Sequence, residues 1–289
     1  MYDDILLPFD GSDGAQAVLD HVAEIADTED ATVHVLFVAD TTRDSITVIR
    51  GEPVDALVRH GQSLVADAER TLTSLDVDYE TDVVQGNPAS EITGYAERHG
   101  HDLIAMATHG RSGISRFLLG SVTEKVVRLS STPVLTARMQ PDEQLAFPYE
   151  DILVPTDGSP GAAPAVDHGL ALASALDATV HALSVVDTAS LGFDVRSAVS
   201  AEAGEGAATD AIDEVATRAD SYGVGAVVQH LKHGSPVAEI LDIVEEEDIG
   251  AVVMGTIGRR GTDRVLLGSV AEKTVRSAPV PVITVRRTD

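Results

Sequence analysis

The stretch DILLPFDGSDGAQAVLDH at residues 4–21 returns as DILVPTDGSPGAAPAVDH at residues 151–168, with 11 of 18 positions identical. Near the end of each half, FLLGSVTEKVVRLSSTPVLT at 117–136 matches VLLGSVAEKTVRSAPVPVIT at 265–284 at 12 of 20 positions. Ordinary residue frequencies leave about one identity in windows of that size. Self-similarity at one long period marks a tandem duplication. The offset is 147 residues early and 148 late, so the copies differ by a net single residue. A chain of 289 residues already favours two domains, and the repeat makes them two copies of one. The polar run Gln140-Pro141-Asp142-Glu143-Gln144 reads as a connection. The expected bounds are therefore 1–139 for the first domain, 140–147 for the linker and 148–289 for the second.

Within each copy short apolar runs alternate with longer amphipathic ones. The pattern predicts strands over 5–9, 32–38, 77–84, 103–107 and 134–137, and over 152–156, 179–186, 226–231, 251–255 and 282–285. Helical patterns occupy 15–26, 54–75, 89–99 and 122–130, with counterparts in the second half. Near-continuous apolar strands are buried on both faces, and their alternation with helices implies parallel packing. Each copy is expected to be a doubly wound α/β domain of five strands. Spacing alone does not give the strand order.

Acidic residues number 47 against 20 basic ones, a formal charge of -27, and only three of the basic residues are lysines (Lys125, Lys232, Lys273). A binder of duplex nucleic acid or of an anionic membrane needs clustered cations to displace counterions, and no basic run here exceeds two residues. Neither partner is expected. The acidic excess is spread over both halves, 25 acids against 10 bases in 1–147 and 22 against 10 in 148–289. In molar salt the Debye length falls to about 3 Å, so such a surface stops repelling itself and keeps its hydration. A salt-adapted cytoplasm is the expectation. With no cysteine, disulfides, thiolate metal sites and cysteine nucleophiles are excluded. The opening Met1-Tyr2-Asp3-Asp4 has no basic flank, and no apolar run approaches the length of a membrane span.

Ligands of open α/β sheets sit at the carboxyl ends of strands, which directs attention to the loops after strands 1 and 4. Strand 1 ends in Pro8-Phe9-Asp10-Gly11-Ser12 and again in Pro155-Thr156-Asp157-Gly158-Ser159. One reading is punctuation, in which Asp and Gly turn the chain and Ser12 or Ser159 caps the next helix; a turn alone, however, does not require an acid at the same place twice. After strand 4 the second copy reads Gly255-Thr256-Ile257-Gly258, then nine residues, then Gly268-Ser269. The first reads Ala107-Thr108-His109-Gly110, then nine, then Gly120-Ser121. Glycines let backbone approach a ligand, successive amides form an anion nest, and the first N–H groups of the helix opening at the serine favour phosphate. The competing reading is that Ser121 with Glu124, and Ser269 with Glu272, are capping boxes that satisfy those helix ends with no ligand. Neither a P-loop nor a dinucleotide fingerprint is present in these loops.

At these residues the chain resembles the universal stress protein family, and the resemblance covers almost the whole of both copies. It rests on the strand 1 Pro-x-Asp, on Gly86-Asn87-Pro88-Ala89 to Ile92 and Gly234-Ser235-Pro236-Val237 to Ile240, and on the loop after strand 4. That loop is followed by Val-x-Glu-Lys-x-Val-Arg and Pro-Val. The resemblance implies Rossmann-like five-stranded parallel sheets ordered 3-2-1-4-5 and an internal pseudo-dimer formed through the last strands, with assembly beyond that pair left open. In the nucleotide-binding branch it implies ATP in the crevice between strands 1 and 4, with Mg2+ or Mn2+ carried by the nucleotide. Matched position by position, the second copy would use Asp157 and the backbone near Val185 around the base, Gly255 and Gly258 at ribose and phosphates, and Gly268, Ser269 and Val270 at the phosphate tail, with Pro155 also in the nucleotide-binding set. The first copy would use Pro8, Asp10, Val38, Ala107, Gly110, Gly120, Ser121 and Val122. Ala107 departs from the motif's glycine, so site 2 ranks above site 1.

Arg111, Arg116, Arg259, Arg260 and Arg264 fall in the nine-residue loops, where they either neutralise a triphosphate or pair with neighbouring acids. The close histidine pairs, His99 with His101 and His230 with His233, do not recur between copies and have no third ligand at a metal spacing. His21 with His168 and His34 with His181 do recur, at helix and strand positions that suit structural histidines. The expected function is an ATP-binding regulatory protein of the stress response. The alternatives are an interaction module that binds no nucleotide and, less favoured for want of a general base, a slow ATP hydrolase.

Overall fold

The computed structural model describes residues 1–41, 54–109, 119–138, 145–187, 195–257 and 267–287. The chain divides into two compact units, Tyr2–Met139 and Gln140–Asp289. The first runs β1 (Asp4–Pro8), α1 (Asp13–Glu29), β2 (Thr32–Asp40), α2 (Val54–Ser74), β3 (Tyr79–Gly86), α3 (Pro88–His99), β4 (Leu103–Ala107), α4 (Ser121–Leu129) and β5 (Val134–Ala137). The second runs β6 (Asp151–Pro155), α5 (Ala163–Leu176), β7 (Thr179–Asp187), α6 (Val195–Tyr222), β8 (Val227–Gly234), α7 (Pro236–Glu246), β9 (Ala251–Gly255), α8 (Ser269–Ser277) and β10 (Val282–Val285). In the first unit the strands lie in the order β3-β2-β1-β4-β5, and in the second β8-β7-β6-β9-β10. Every pairing within a unit is parallel. Both are the 3-2-1-4-5 order.

The central strands owe their place to unbroken apolar runs. Ile5, Leu6 and Leu7 of β1 and Ile152, Leu153 and Val154 of β6 are fully buried although successive side chains point to opposite faces. The outer strands β3 and β8 are half-exposed and carry Glu80, Asp82, Lys232 and His233. Charged edges of this kind discourage pairing with foreign strands. The strand expected over 77–84 is displaced to Tyr79–Gly86. Asp76 takes the left-handed conformation and Val77 returns its N–H to Leu72 O at 3.2 Å, so these residues close α2.

Among the described residues, each non-glycine with positive φ is an aspartate: Asp30, Asp76, Asp177 and Asp248. Asp30 and Asp177 close α1 and α5 at positions that glycine commonly fills. Part of the acidic excess therefore serves local geometry.

The topology opens a gap in each unit. β1 pairs with β4 only over Ile5↔Leu103 and Leu6↔Ile104. Beyond that point β1 stays with β2 as far as Pro8↔Leu36, and β4 stays with β5 as far as Ala107↔Ala137. In the second unit β6 and β9 pair over Ile152↔Ala251 and Leu153↔Val252 and then part in the same way. Crossovers leave in opposite directions from these strand pairs, which is the switch point where open α/β sheets take ligands.

Candidate functional site

The loop after the first strand is folded by its own aspartate. Asp10 Oδ1 accepts the Ser12 N–H at 3.0 Å, and Asp157 Oδ1 accepts the Ser159 N–H at 3.0 Å. The recurring acid thus makes an Asx turn in both copies. Pro8 and Pro155 are the last residues of their strands. Val38 and Val185 lie two residues beyond the Pro8↔Leu36 and Pro155↔Leu183 pairings, at the same carboxyl edge.

From here the copies diverge. Ser12 Oγ accepts the Ala15 N–H at 3.2 Å and caps α1, as expected. The same expectation for Ser159 is corrected: α5 begins at Ala163 behind Ala162, with no side-chain cap. Pro164 has no N–H to return to Pro160, so the first helical turn is replaced by a turn in which Ala162 and Ala163 donate to Ser159 O at 3.0 and 3.3 Å.

At the fourth strand the copies agree. Gly120 N–H donates to Thr108 O at 2.7 Å and Gly268 N–H to Thr256 O at 2.8 Å. The carbonyls of the same glycines accept from Glu124 and Glu272 at 2.8 and 2.9 Å, making each glycine the N-cap. Two expectations change. The capping boxes do not form, because Ser121 and Ser269 are already the first helical residues and no side chain caps either helix. The glycine amides are committed to the Thr108 and Thr256 carbonyls just past β4 and β9, so the first-turn amides without a helical acceptor are those of residues 121–123 and 269–271. A Cβ on Gly120 or Gly268 would lie 3.0 Å from Thr108 O or Thr256 O, a tight contact on the carbonyl that the glycine amide itself bonds.

Gly255 also has a reason internal to the fold. A Cβ there would lie 2.8 Å from Gly161 O, and one on Gly161 would lie 2.4 Å from Ile257 O. The turn before α5 is pressed against the end of β9, backbone to backbone. In the first copy α1 starts directly at Asp13, and Ala107 is accommodated while its carbonyl accepts from Thr123 Oγ1 at 3.0 Å. The glycine-to-alanine difference thus has a source in how each copy packs. Beside Ala107, Thr108 is fully buried and its Oγ1 lies 2.9 Å from His109 Nδ1, leaving the buried Nε2 of His109 without a partner. Gly110, Gly258 and the five loop arginines lie outside the described residues.

The recurring histidines lie elsewhere. His34 Nε2 meets Asp4 Oδ1 at 2.8 Å and His181 Nε2 meets Asp151 Oδ1 at 2.9 Å, at the amino ends of the central strands. Sequence spacing missed that His181 Nδ1 also reaches His230 Nε2 at 3.0 Å, and that His101 stands edge-on to His34 at 4.4 Å. Parallel register of β7 and β8 brings His181 to His230, whereas His101 reaches His34 from the turn that enters β4. Burial pushes His21 and His168 down from 6.5 to about 4. Burial, with His34 alongside, does the same to His101. No group of three or more histidines and carboxylates suited to a metal occurs among the described residues, and no described helix is long and apolar enough to cross a membrane.

Two Rossmann-like α/β units, each with a switch-point gap and a glycine-capped helix at its rim, define the class as a tandem α/β protein. The chain belongs to the universal stress protein family, whose pattern matches residues 1–138 and again 148–286. It is similar to a universal stress protein of Methanocaldococcus jannaschii, 34% identical over 48% of this chain and 83% of the relative. It is also similar to one of Bacillus subtilis, 32% identical over 48% of this chain and 100% of the relative. A universal stress protein structure from Archaeoglobus fulgidus, 23% identical, covers 99% of this chain and 98% of its own with a TM-score of 0.75 and shares the fold.

Proposed function

We propose that the protein is an ATP-binding regulator of the stress response, with one nucleotide at the carboxyl edge of each repeat and Mg2+ or Mn2+ arriving with the triphosphate. The observation that carries this reading is the pair of helices α4 and α8, whose N-termini have no side-chain cap and lie beside strands that have just parted. Unsatisfied first-turn amides and the helix dipole favour an anion there. The Asp10 and Asp157 turns and the strand ends at Val38 and Val185 frame the neighbouring space. Because the bare first turn recurs, both repeats take part.

The charge of -27 opposes any polyanion at long range, so affinity for ATP rests on contacts at short range and on screening by salt. The same reasoning assigns the protein to a salt-adapted cytoplasm. Thermal melts in dilute buffer and in molar KCl test this, and equal stability in both sinks the assignment.

Isothermal titration with ATP and Mg2+ in high salt tests the main reading. Binding of two equivalents without phosphate release is expected. Absence of binding returns the protein to the class of interaction modules, and steady phosphate release makes it a hydrolase.

A further inference from the structure

We propose that Asp151, His181 and His230, on β6, β7 and β8, form an acid-released latch on the edge strand of the second repeat. The latch holds β8 while the two imidazoles carry at most one added proton, and it opens when both are charged. His181 is 4% exposed, its Nε2 meets Asp151 Oδ1 at 2.9 Å, and its Nδ1 meets His230 Nε2 at 3.0 Å. Asp151 and His181 lie near the amino ends of their strands, away from the carboxyl edge, so the latch does not depend on the nucleotide reading.

Chemistry places the hydrogens in this chain. An ionised carboxylate only accepts, so His181 Nε2 carries the hydrogen and its Nδ1 is bare, and His230 Nε2–H donates to that Nδ1. The two ring planes lie within 11° and their centroids are 5.2 Å apart, which exceeds the 3.0 Å gap between the nitrogens by no more than the rings' own radii. The rings therefore meet edge to edge in nearly one plane, the in-line geometry that a hydrogen bond prefers. With the nitrogens aimed at each other, the gap takes one hydrogen. A first added proton leaves the bond in place whichever ring carries it, and the two rings titrate as one unit. A second puts N–H on both facing nitrogens and turns the bond into a contact between cations.

The neighbours of the pair come from four elements. Asp151 of β6 favours charge on His181. Facing His230 are His181 of β7, Lys232 of β8 itself, and Glu246 and Glu247 at the end of α7. Burial, then His181, pushes the His230 pKa down, Lys232 adds to this, and the two glutamates oppose it. In the first repeat the sign reverses. His34 Nε2 faces Asp4 Oδ1 at 2.8 Å and its Nδ1 faces Glu80 Oε2 at 3.6 Å. The ladder position of His230, opposite Leu183, is taken there by Asp82, opposite Leu36. A proton on His34 thus sits between two carboxylates, while His101, edge-on to it at 4.4 Å, is kept neutral down to about pH 4 chiefly by burial. Acid loosens β8 from β7 and does not loosen β3 from β2.

The test follows the full chain in high salt from pH 7.5 to 5 by amide hydrogen exchange, which reports local opening, with ring-nitrogen spectra of the histidines alongside. At pH 7.5 His181 and His230 should both be Nε2–H tautomers. As pH falls to 5, protection of residues 227–234, corrected for intrinsic exchange, should drop about tenfold further than that of residues 79–86, the worth of one neutral hydrogen bond. His230→Gln keeps a donor for His181 Nδ1 that takes up no proton, and the extra drop should vanish in it. An Nδ1–H tautomer on His181 at pH 7.5, a drop in β8 no larger than in β3, or an extra drop that persists in His230→Gln overturns the proposal. If His230→Gln does not fold, the tautomers and the contrast between β8 and β3 in the unaltered chain decide.

Discussion

The turns at 10–15 and 157–165 descend from one sequence and have come to differ in what they hold. In the first, Asp-Gly-Ser passes straight into a helix and the serine caps it. In the second, Pro160, Gly161 and Pro164 insert a turn, the serine loses its helix, and the displaced backbone lies against Gly255 and Ile257. A motif that reads alike in both copies is a helix cap in one and a packed wedge with a spare hydroxyl in the other. The fourth-strand loops teach the opposite, since Gly120 and Gly268 make the same two backbone bonds in both. Divergence has collected at the entry to the first helix and spared the entry to the last.

The largest expected effect is one the copies share. His21 and His168 are held neutral by burial, with pKa lowered from 6.5 to about 4. The unfolded chain takes up these protons first, so stability is whole above pH 6.5 and is lost as pH falls toward 4. At pH 5 each costs about 2 kcal/mol, from 1.36 kcal/mol per pKa unit. Denaturant melts at pH 7.5 and 5 should show it, and His21→Gln should remove about half of the slope due to this pair. A flat pH profile would break the symmetry claimed for the two helices.

The next effect separates the copies. Gly255→Ala drives a methyl into Gly161 O and should destabilise by about 2 kcal/mol, as overpacking does. The reciprocal Ala107→Gly should cost only about 0.5 to 1 kcal/mol, the conformational price of glycine. Equal losses would show that the wedge does not set the identity of residue 255. Smaller again, Ser12→Ala should cost about 1 kcal/mol as a lost N-cap, whereas Ser159→Ala should be within about 0.5 kcal/mol of neutral. The smallest contrast is between arginines. Arg218→Ala breaks the bridge to Asp167 and Glu214 and should cost about 0.5 to 1 kcal/mol, while Arg70→Ala should be close to neutral, as exposed pairs are. Chemical denaturation of each variant checks these three comparisons.

Much of the fold was legible because burial is periodic. Ile5 to Leu7 and Ile152 to Val154 announce central strands by being apolar without interruption, and helix bounds follow from the longer period. The strand order came from the resemblance and agrees with the observed pairing in each unit. The candidate site was legible only in outline. Sequence reading pointed to the loops after strands 1 and 4, but Ser121 with Glu124 matches a capping box in letters while Gly120 is the cap in space. The cap is decided by the bond from Gly120 N–H to Thr108 O, a partner outside the helix that no local pattern records.

The sequence by itself determined that there are two copies of one α/β domain, which strands are central, and where the chain turns, because these depend on residue type and spacing along a single segment. Only the tertiary structure decided that Gly255 answers to Gly161, that His181 meets His230, and that the Ser159 hydroxyl is left without a hydrogen bond. Each of these depends on how closely two distant backbones approach, a distance set by the packing of whole elements and not by the residues on either side.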